Sequence, residues 1–340
     1  MSNDCVVLRI PTLAIHLDRQ ETFSFNKETQ LFPIAGLVAA ELSRQGKTDD
    51  KPTMSTPESE DAPFYPLKAP VERHHPYIVE LIAKEAGVEA ADVVDFEMVL
   101  YDTQKPCVGG LNEELIFSAR LDNLEMTYCS TMALIKSVAA PDSLEEESSI
   151  RLISLFDHEE IGSNTAQGAD SNLLPAIVSR LSVLTFPGDE VEPSNTYYEQ
   201  TLASSFLVSA DMAHSVNPNY AGKYESDHKP EMNKGTVIKI NANARYATNS
   251  PGIVLLEEIA RRAKVPLQLF VVRNDSSCGS TIGPMLAAAL GARTLDLGNP
   301  QLSMHSIRET AGVYDVDYAI QLFESFFEHY SELEGKILVD

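Results

Sequence analysis

Apolar positions along the chain fall into two patterns, and they change near residue 110. Up to that point the apolar runs are short and interrupted. Val6 to Leu17 is an apolar, β-branched segment broken by Pro11, and Leu31 to Leu42 has helical spacing. Gln45 to Pro70 is rich in Pro, Ser, Thr, Asp and Lys and reads as a flexible surface loop, because such a composition buries too little apolar area to offset chain entropy. Pro76 opens a helix through Ala86, with Gly87 suited to its C-cap. Val93 to Tyr101 alternates as a strand would, and Gly109-Gly110 marks a turn.

Beyond Glu113 strand and helix alternate. The expected strands are Glu114 to Ser118, Arg151 to Phe156, Phe206 to Ala210, Thr236 to Asn241, Leu267 to Val272 and Arg293 to Leu297. The expected helices are Leu121 to Val138, Ser171 to Leu184, Ile253 to Ala263, Thr281 to Leu290 and Val316 to Tyr330. The order implies an α/β fold, with an open, mixed but largely parallel sheet flanked by helices. Two parts follow, residues 1–110 with a flexible loop at about 45–70, and residues 111–340. No internal repeat is visible.

Composition narrows the function. Of 340 residues, 26 are basic and 50 acidic, a formal net charge of -24 at pH 7. That disfavours a non-specific nucleic-acid binder and an anionic membrane surface, both of which need a broad basic face. An acidic substrate stays open if basic groups gather in one pocket. The four cysteines form no CxxC and are sparse for this length, which favours a reduced, cytoplasmic protein. No stretch approaches the roughly 20 apolar residues of a membrane helix, and Asp4, Arg9 and Pro11 break any signal-peptide pattern.

Ligand sites in open α/β sheets lie beyond the carboxyl ends of the strands. Four such ends carry acids or histidines: Asp122-Asn123, Asp157-His158-Glu159-Glu160, Asp211 with His214, and Ser303-Met304-His305. Carboxylates gathered together raise one another's pKa unless a cation compensates. Two divalent ions held by Asp, Glu and His would do so, and zinc suits that donor mixture. Such a pair polarises a carbonyl and acidifies a water for hydrolysis. Neighbouring side chains leaving a strand point apart, so one of Glu159 and Glu160 can bind metal while the other acts as general base. The competing reading makes both acids caps of a following helix. His158, His74, His75, His228 and His329 have no evident role in this chemistry, and Cys278 lacks an obvious His or Asn partner for nucleophilic work.

At these motifs the chain resembles the aspartyl aminopeptidases, dinuclear zinc exopeptidases. The matching segments include IPTLAIHLDR, ERHHP, SARLDNL, DHEEIGS, SADMAHSVNPNY, KGTVIKIN, RYATNS, VRNDSSCGSTIGP and LGNPQLSMHSIRE. They run from about residue 7 to the C-terminus, leaving 45–70 and about 186–200 unmatched. The resemblance implies that Asp122 bridges two zinc ions, that Glu160 and His305 complete one site and that Asp211 binds the other. It implies Glu159 as general base, His214, Lys239 and Tyr246 as substrate contacts, and His16 as a histidine reaching a neighbouring subunit's active site. It also implies a zinc-exopeptidase catalytic domain at 111–340, part of a smaller β-rich dimerisation domain at 1–110, and a homo-oligomeric dodecamer. The expected activity is release of N-terminal Asp or Glu from peptides, in the cytoplasm or, as for some relatives, the vacuole. The family carries a His-x-Asp motif upstream of the inserted domain. His16-Leu17-Asp18 belongs to a different segment, so the resemblance implies an N-terminally truncated chain lacking one ligand histidine. The alternative is a non-catalytic chain that assembles with or regulates full-length subunits.

Overall fold

The computed structural model describes residues 7–14, 16–17, 24–40, 66–145, 147–184 and 196–337. The chain divides into two compact units, Met1–Gln104 and Lys105–Asp340. Most of the loop expected at 45–70 lies outside the described residues, as does much of the stretch at 186–200.

In the first unit, α1 (Pro70–Arg73) leads into α2 (Pro76–Ala86). Proline at the first helical position presents no N–H to satisfy, and the His75 ring accepts the Tyr77 N–H at 3.3 Å. Gly87 ends α2 at φ 73°, a left-handed conformation that glycine adopts without strain. Val79 and Ala83 of α2 bury against Val93, with Phe96 packed beside them. The His74 ring lies 4.7 Å from that of Phe96. Two expectations fail here. Val93 to Tyr101 is irregular, with no strand pairing among the described residues. Val93 and Phe96 turn towards α2, but Val94 and Val99 are almost fully exposed, so no strand face is covered by a second layer. Of Leu31 to Leu42, residues 38–40 are helical among those described, and Ile34 instead forms an antiparallel bridge with Arg9.

The second unit is mixed α/β. Its strands are β1 (Cys107–Gly109), β2 (Leu115–Ser118), β3 (Phe206–Ala210), β4 (Ala213–His214), β5 (Thr236–Ile240), β6 (Leu267–Val271), β7 (Arg293–Gly298), β8 (Pro300–Leu302) and β9 (Glu309–Gly312). They pair as two sheets, in the orders β3-β7-β5-β6 and β1-β2-β9-β8-β4. The pairs β3–β7 and β5–β6 are parallel, the second with the helix Ser250–Ala263 between its strands, while β5–β7 is antiparallel. The second sheet is built mainly from antiparallel neighbours, with β4 alongside β8 in parallel. The mixed α/β class thus stands, divided over two sheets with both strand orientations. Helices α3 (Leu121–Ser137), α4 (Leu173–Leu181), α5 (Tyr197–Ser204), α6 (Ser250–Ala263), α7 (Ile282–Leu290) and α8 (Val313–Glu334) complete the unit. Met126 of α3, Leu256 and Ile259 of α6 and Leu322 of α8 close over Ile238, Leu295 and Leu297 in one core. Burying each such side chain contributes about 1.5–3 kcal/mol.

Arg151 to Phe156, expected as a buried strand, carries no strand pairing among the described residues. Leu152 and Leu155 are exposed, and the segment is fixed through Arg151, whose guanidinium donates to the Ser137 and Ser143 carbonyls and pairs with Glu147.

Register brings the site together. In β3–β7, Ala210 lies opposite Leu297, and the Asp211 N–H donates to the Leu297 carbonyl at 2.9 Å. Gly298 then passes so close to the Asp211 carbonyl that a Cβ there would collide with it. On the other side of β7, Ile238 of β5 also faces Leu297, which sets Lys239 beside the same turn.

Candidate metal centre

Asp122, Glu160 and His305 come from three separate segments. Asp122 opens α3 directly after β2, following Arg120 at φ 58°. Glu160 sits in the single 3-10 turn Glu159–Ile161, which is bracketed by the left-handed residues His158 and Gly162. His305 lies in the turn joining β8 to β9, itself left-handed at φ 64°. Non-glycine residues at positive φ cost free energy and persist where surrounding contacts hold them. The His305 Nε2 lies 3.1 Å from Asp122 Oδ2 and 3.3 Å from Glu160 Oε2. One donor atom from each of the three falls within 4.8 Å of the others, so these residues could hold a metal ion. Asp122 is nearly shut from solvent, whereas Glu160 and His305 are more than half exposed.

Electrostatics favours a cation here. Burial pushes the Asp122 carboxyl well above the usual carboxylate range, and the charges of Asp211 and Glu160 push it the same way. A hydrogen-bonding approach to Asp211 adds to the effect. Asp211 shifts downward. Burial opposes that shift, but Lys239, the Asp122 hydrogen bond and the Met212 N–H outweigh it. Glu159 is raised by burial and by the nearby charges of Asp211 and Glu160. A buried or crowded carboxylate with no cation beside it shifts in this direction.

The structure gathers eight of the nine site residues named from the sequence: Asp122, Glu159, Glu160, Asp211, His214, Lys239, Tyr246 and His305. The ninth, His16, is exposed and lies in the first unit. Lys239 is 2% exposed. Its ammonium donates to Asp211 Oδ2 at 3.1 Å and to the Met212 carbonyl at 2.8 Å, and lies 5.3 Å from the centre of the Tyr246 ring. The Tyr246 hydroxyl accepts from the Cys278 thiol at 3.4 Å, which gives that cysteine a structural partner. His214 has its pKa lowered by the protein packed around it and by Lys239. Outside the cluster, His158 contacts the Thr165 hydroxyl at 2.8 Å, His228 pairs with Glu225 at 2.5 Å and His329 meets the Ser325 carbonyl at 2.9 Å.

Sequence reasoning assigned Glu309 no role. It is 2% exposed, and its two carboxyl oxygens accept the backbone N–H groups of His305 at 2.9 Å and Asp122 at 3.1 Å. Its one visible signal is its place four residues after His305. Its other partner lies 187 residues away in sequence.

The chain matches known proteins along almost its whole length. A family profile described as "Aminopeptidase I zinc metalloprotease (M18)" covers residues 2–327. An aspartyl aminopeptidase of Aspergillus oryzae is 68% identical over 99% of this chain and 69% of its own length. Aspartyl aminopeptidase 4 of Saccharomyces cerevisiae is 53% identical over 98% of this chain and 67% of its own. Among solved structures, a cryo-EM structure of an Ape4 and Nbr1 complex superposes with a TM-score of 0.85 at 48% identity. That match covers 99% of this chain and 60% of the other. The S. cerevisiae mApe1 dodecamer superposes at 0.73 and 32% identity, over 97% of this chain and 64% of the other.

Proposed function

Because the chain belongs to the aminopeptidase I zinc metalloprotease (M18) family, we propose that it is a metalloaminopeptidase releasing N-terminal Asp or Glu from peptides by two-metal hydrolysis. The observation that carries the reading is the meeting of Asp122, Glu160 and His305 within ligating distance, with Glu159 beside them and Asp211 in contact with Asp122.

The donor set fits zinc: one imidazole and carboxylates, one of them buried and repelled by its acidic neighbours. Zinc, when bound, supplies polarisation of the scissile carbonyl and acidification of a water. Asp122, Glu160 and His305 would hold one ion, and Asp211 would help to hold a second, with Asp122 shared. Glu159 then takes a proton from the attacking water and returns it to the leaving amine. Its raised pKa suits a base that must also act as an acid. Lys239 and Tyr246 line the Asp211 side. Neutralising Asp211 with a cation would release the Lys239 ammonium to receive an acidic side chain of the substrate, and His214 lies near enough to join it. A lysine reserved in this way reconciles an acidic preference with a strongly acidic chain.

The S. cerevisiae mApe1 relative is a dodecamer, and we read this chain as homo-oligomeric. His16 is then a candidate contact with a neighbouring subunit's substrate, and the first unit a candidate part of the dimerisation domain. Among the described residues no helix is long and apolar enough to cross a membrane. Sparse cysteines, of which Cys107, Cys129 and Cys278 are unpaired, favour the cytoplasm as the compartment.

The test is Glu159→Gln. The amide keeps the shape but cannot accept the water's proton. Zinc content should be unchanged while turnover of an N-terminal Asp peptide falls roughly 10²–10⁴-fold. A loss below about tenfold at full zinc content removes Glu159 from the role.

A further inference from the structure

Two of the three ligand residues at the candidate centre are held from behind by the same side chain. Glu309 begins β9 and is 2% exposed. Its Oε1 accepts the His305 N–H at 2.9 Å and its Oε2 the Asp122 N–H at 3.1 Å. Both oxygens are thus occupied by backbone amides, and Glu309 stands outside the three-residue donor cluster. The two amides belong to segments whose backbones are otherwise unfavourable: His305 is left-handed, and Asp122 follows left-handed Arg120 by two residues. The acceptor is also placed by the sheet, since Glu309 pairs with Ser118 on β2, three residues before the α3 helix begins. One carboxyl group therefore ties the start of α3 and the β8–β9 turn to a single point of the sheet.

We propose that Glu309 is a positioning residue for the metal centre, fixing the Asp122 and His305 backbones so that their side chains converge before any ion arrives. The proposal rests on the reading of Asp122 and His305 as ligands. Partners of this kind orient ligands without touching the ion, and their loss typically costs about 10–100-fold in metal affinity or activity.

A merely structural acid would behave differently, and the protein contains one for comparison. Asp315, fully buried, accepts the N–H groups of Gly235 at 2.8 Å and Asn233 at 2.5 Å, none of them from a ligand residue. It too ties two backbone amides to one carboxyl group, but from the first turn of α8 to a loop bearing no part of the centre.

The experiment compares Glu309→Gln with Asp315→Asn in the full chain. Each amide variant satisfies one of the two N–H groups and opposes the other with a donor. Zinc affinity is read by chelator competition, geometry by the visible spectrum of the cobalt(II)-loaded protein, and folding by thermal melting of the metal-free form. Glu309→Gln should weaken zinc about 10–100-fold and alter the cobalt spectrum. Asp315→Asn should lower the melting temperature while leaving affinity within about threefold of the parent chain and the spectrum unchanged. Equal zinc affinities in the two variants overturn the proposal. A parent chain that binds no zinc overturns the ligand reading, and the proposal with it. Should Glu309→Gln fail to fold, amide hydrogen exchange in the metal-free parent decides: slow exchange at both Asp122 and His305 supports the tether, and exchange at the unprotected rate at either one overturns it.

Discussion

Asp122 and Asp211 are neighbouring acids, yet the protein treats them in opposite ways. Asp211 has a lysine. The Lys239 ammonium lies 3.1 Å from its Oδ2, and its pKa falls despite burial. Asp122 faces a histidine and two other acids, and its pKa rises. The first carboxylate is satisfied by the fold itself; the second is left wanting a cation. Burial alone therefore does not decide how much an acid gains from a cation. What distinguishes the open half of the centre is burial without a resident counter-charge.

The largest expected contrast is in zinc retention. His305→Ala removes a donor from the open half and should weaken the tightest zinc site by more than about 100-fold, beyond the loss typical of an outer partner. Asp211→Asn should leave that site within about tenfold of the parent chain. Chelator competition on the purified variants measures both, and equal losses would erase the distinction between the halves.

Metal-free stability should separate the same two acids with opposite sign. Asp211→Asn strands the Lys239 ammonium in a site where its side chain is 3% exposed. Removing one partner of a buried pair costs about 3 kcal/mol or somewhat more. Asp122→Asn removes the acid that burial and the charges of Asp211 and Glu160 disfavour, and so relieves repulsion. Its metal-free form should melt at or above the parent temperature. Calorimetry of both variants after chelation tests the pair, and a matching destabilisation would show that Lys239 is not committed to Asp211.

Glu125, three residues after Asp122 on α3, shows the same physics outside the three-residue donor cluster. It is 7% exposed, with one oxygen accepting from Asn299 at 2.9 Å and the other unpartnered. Burial pushes its carboxyl up to about 7. The folded state therefore holds a proton that the unfolded chain, titrating near 4.5, gives up. The resulting stability is fully present below that lower value and is lost as pH rises through about 7, up to about 3 kcal/mol in all. Glu125→Gln should flatten the loss seen in parent melting temperatures between pH 5 and 8, a range on the order of the two pKa values. An unchanged pH slope would show that Glu125 does not carry it.

Much of this arrangement is legible in the residues. The runs around Val208, Ile238, Leu269 and Leu295 are long and apolar enough to declare strands, and the acids that follow three expected strands and His305 beyond a fourth point to a centre at one edge. Short elements escape the same reasoning. Strand β4 has two residues, β8 begins with proline, and β9 joins β8 by a hairpin that no local period announces. Arg151 to Phe156 has the composition of a buried strand, but Leu152 and Leu155 face solvent and Arg151 does the anchoring. In the centre itself, side chains that reach outward from strand ends are visible as Asp, Glu and His. The roles of Lys239 and Glu309 depend on partners 28 and 187 residues away, and no spacing rule contains them.

The close passage of Gly298 beside the Asp211 carbonyl has a meaning for inheritance. All nineteen other amino acids carry a Cβ or, for proline, a ring built on one, and each would strike the same oxygen. Tolerance at this position is thus set by the distance between two stretches of main chain, whatever the chemistry of the replacement. In a family tree position 298 would look as constrained as a ligand while contributing no atom to any reaction. Constancy there would record an absence of room, and reading it as a catalytic signature would mistake a narrow passage for a participant.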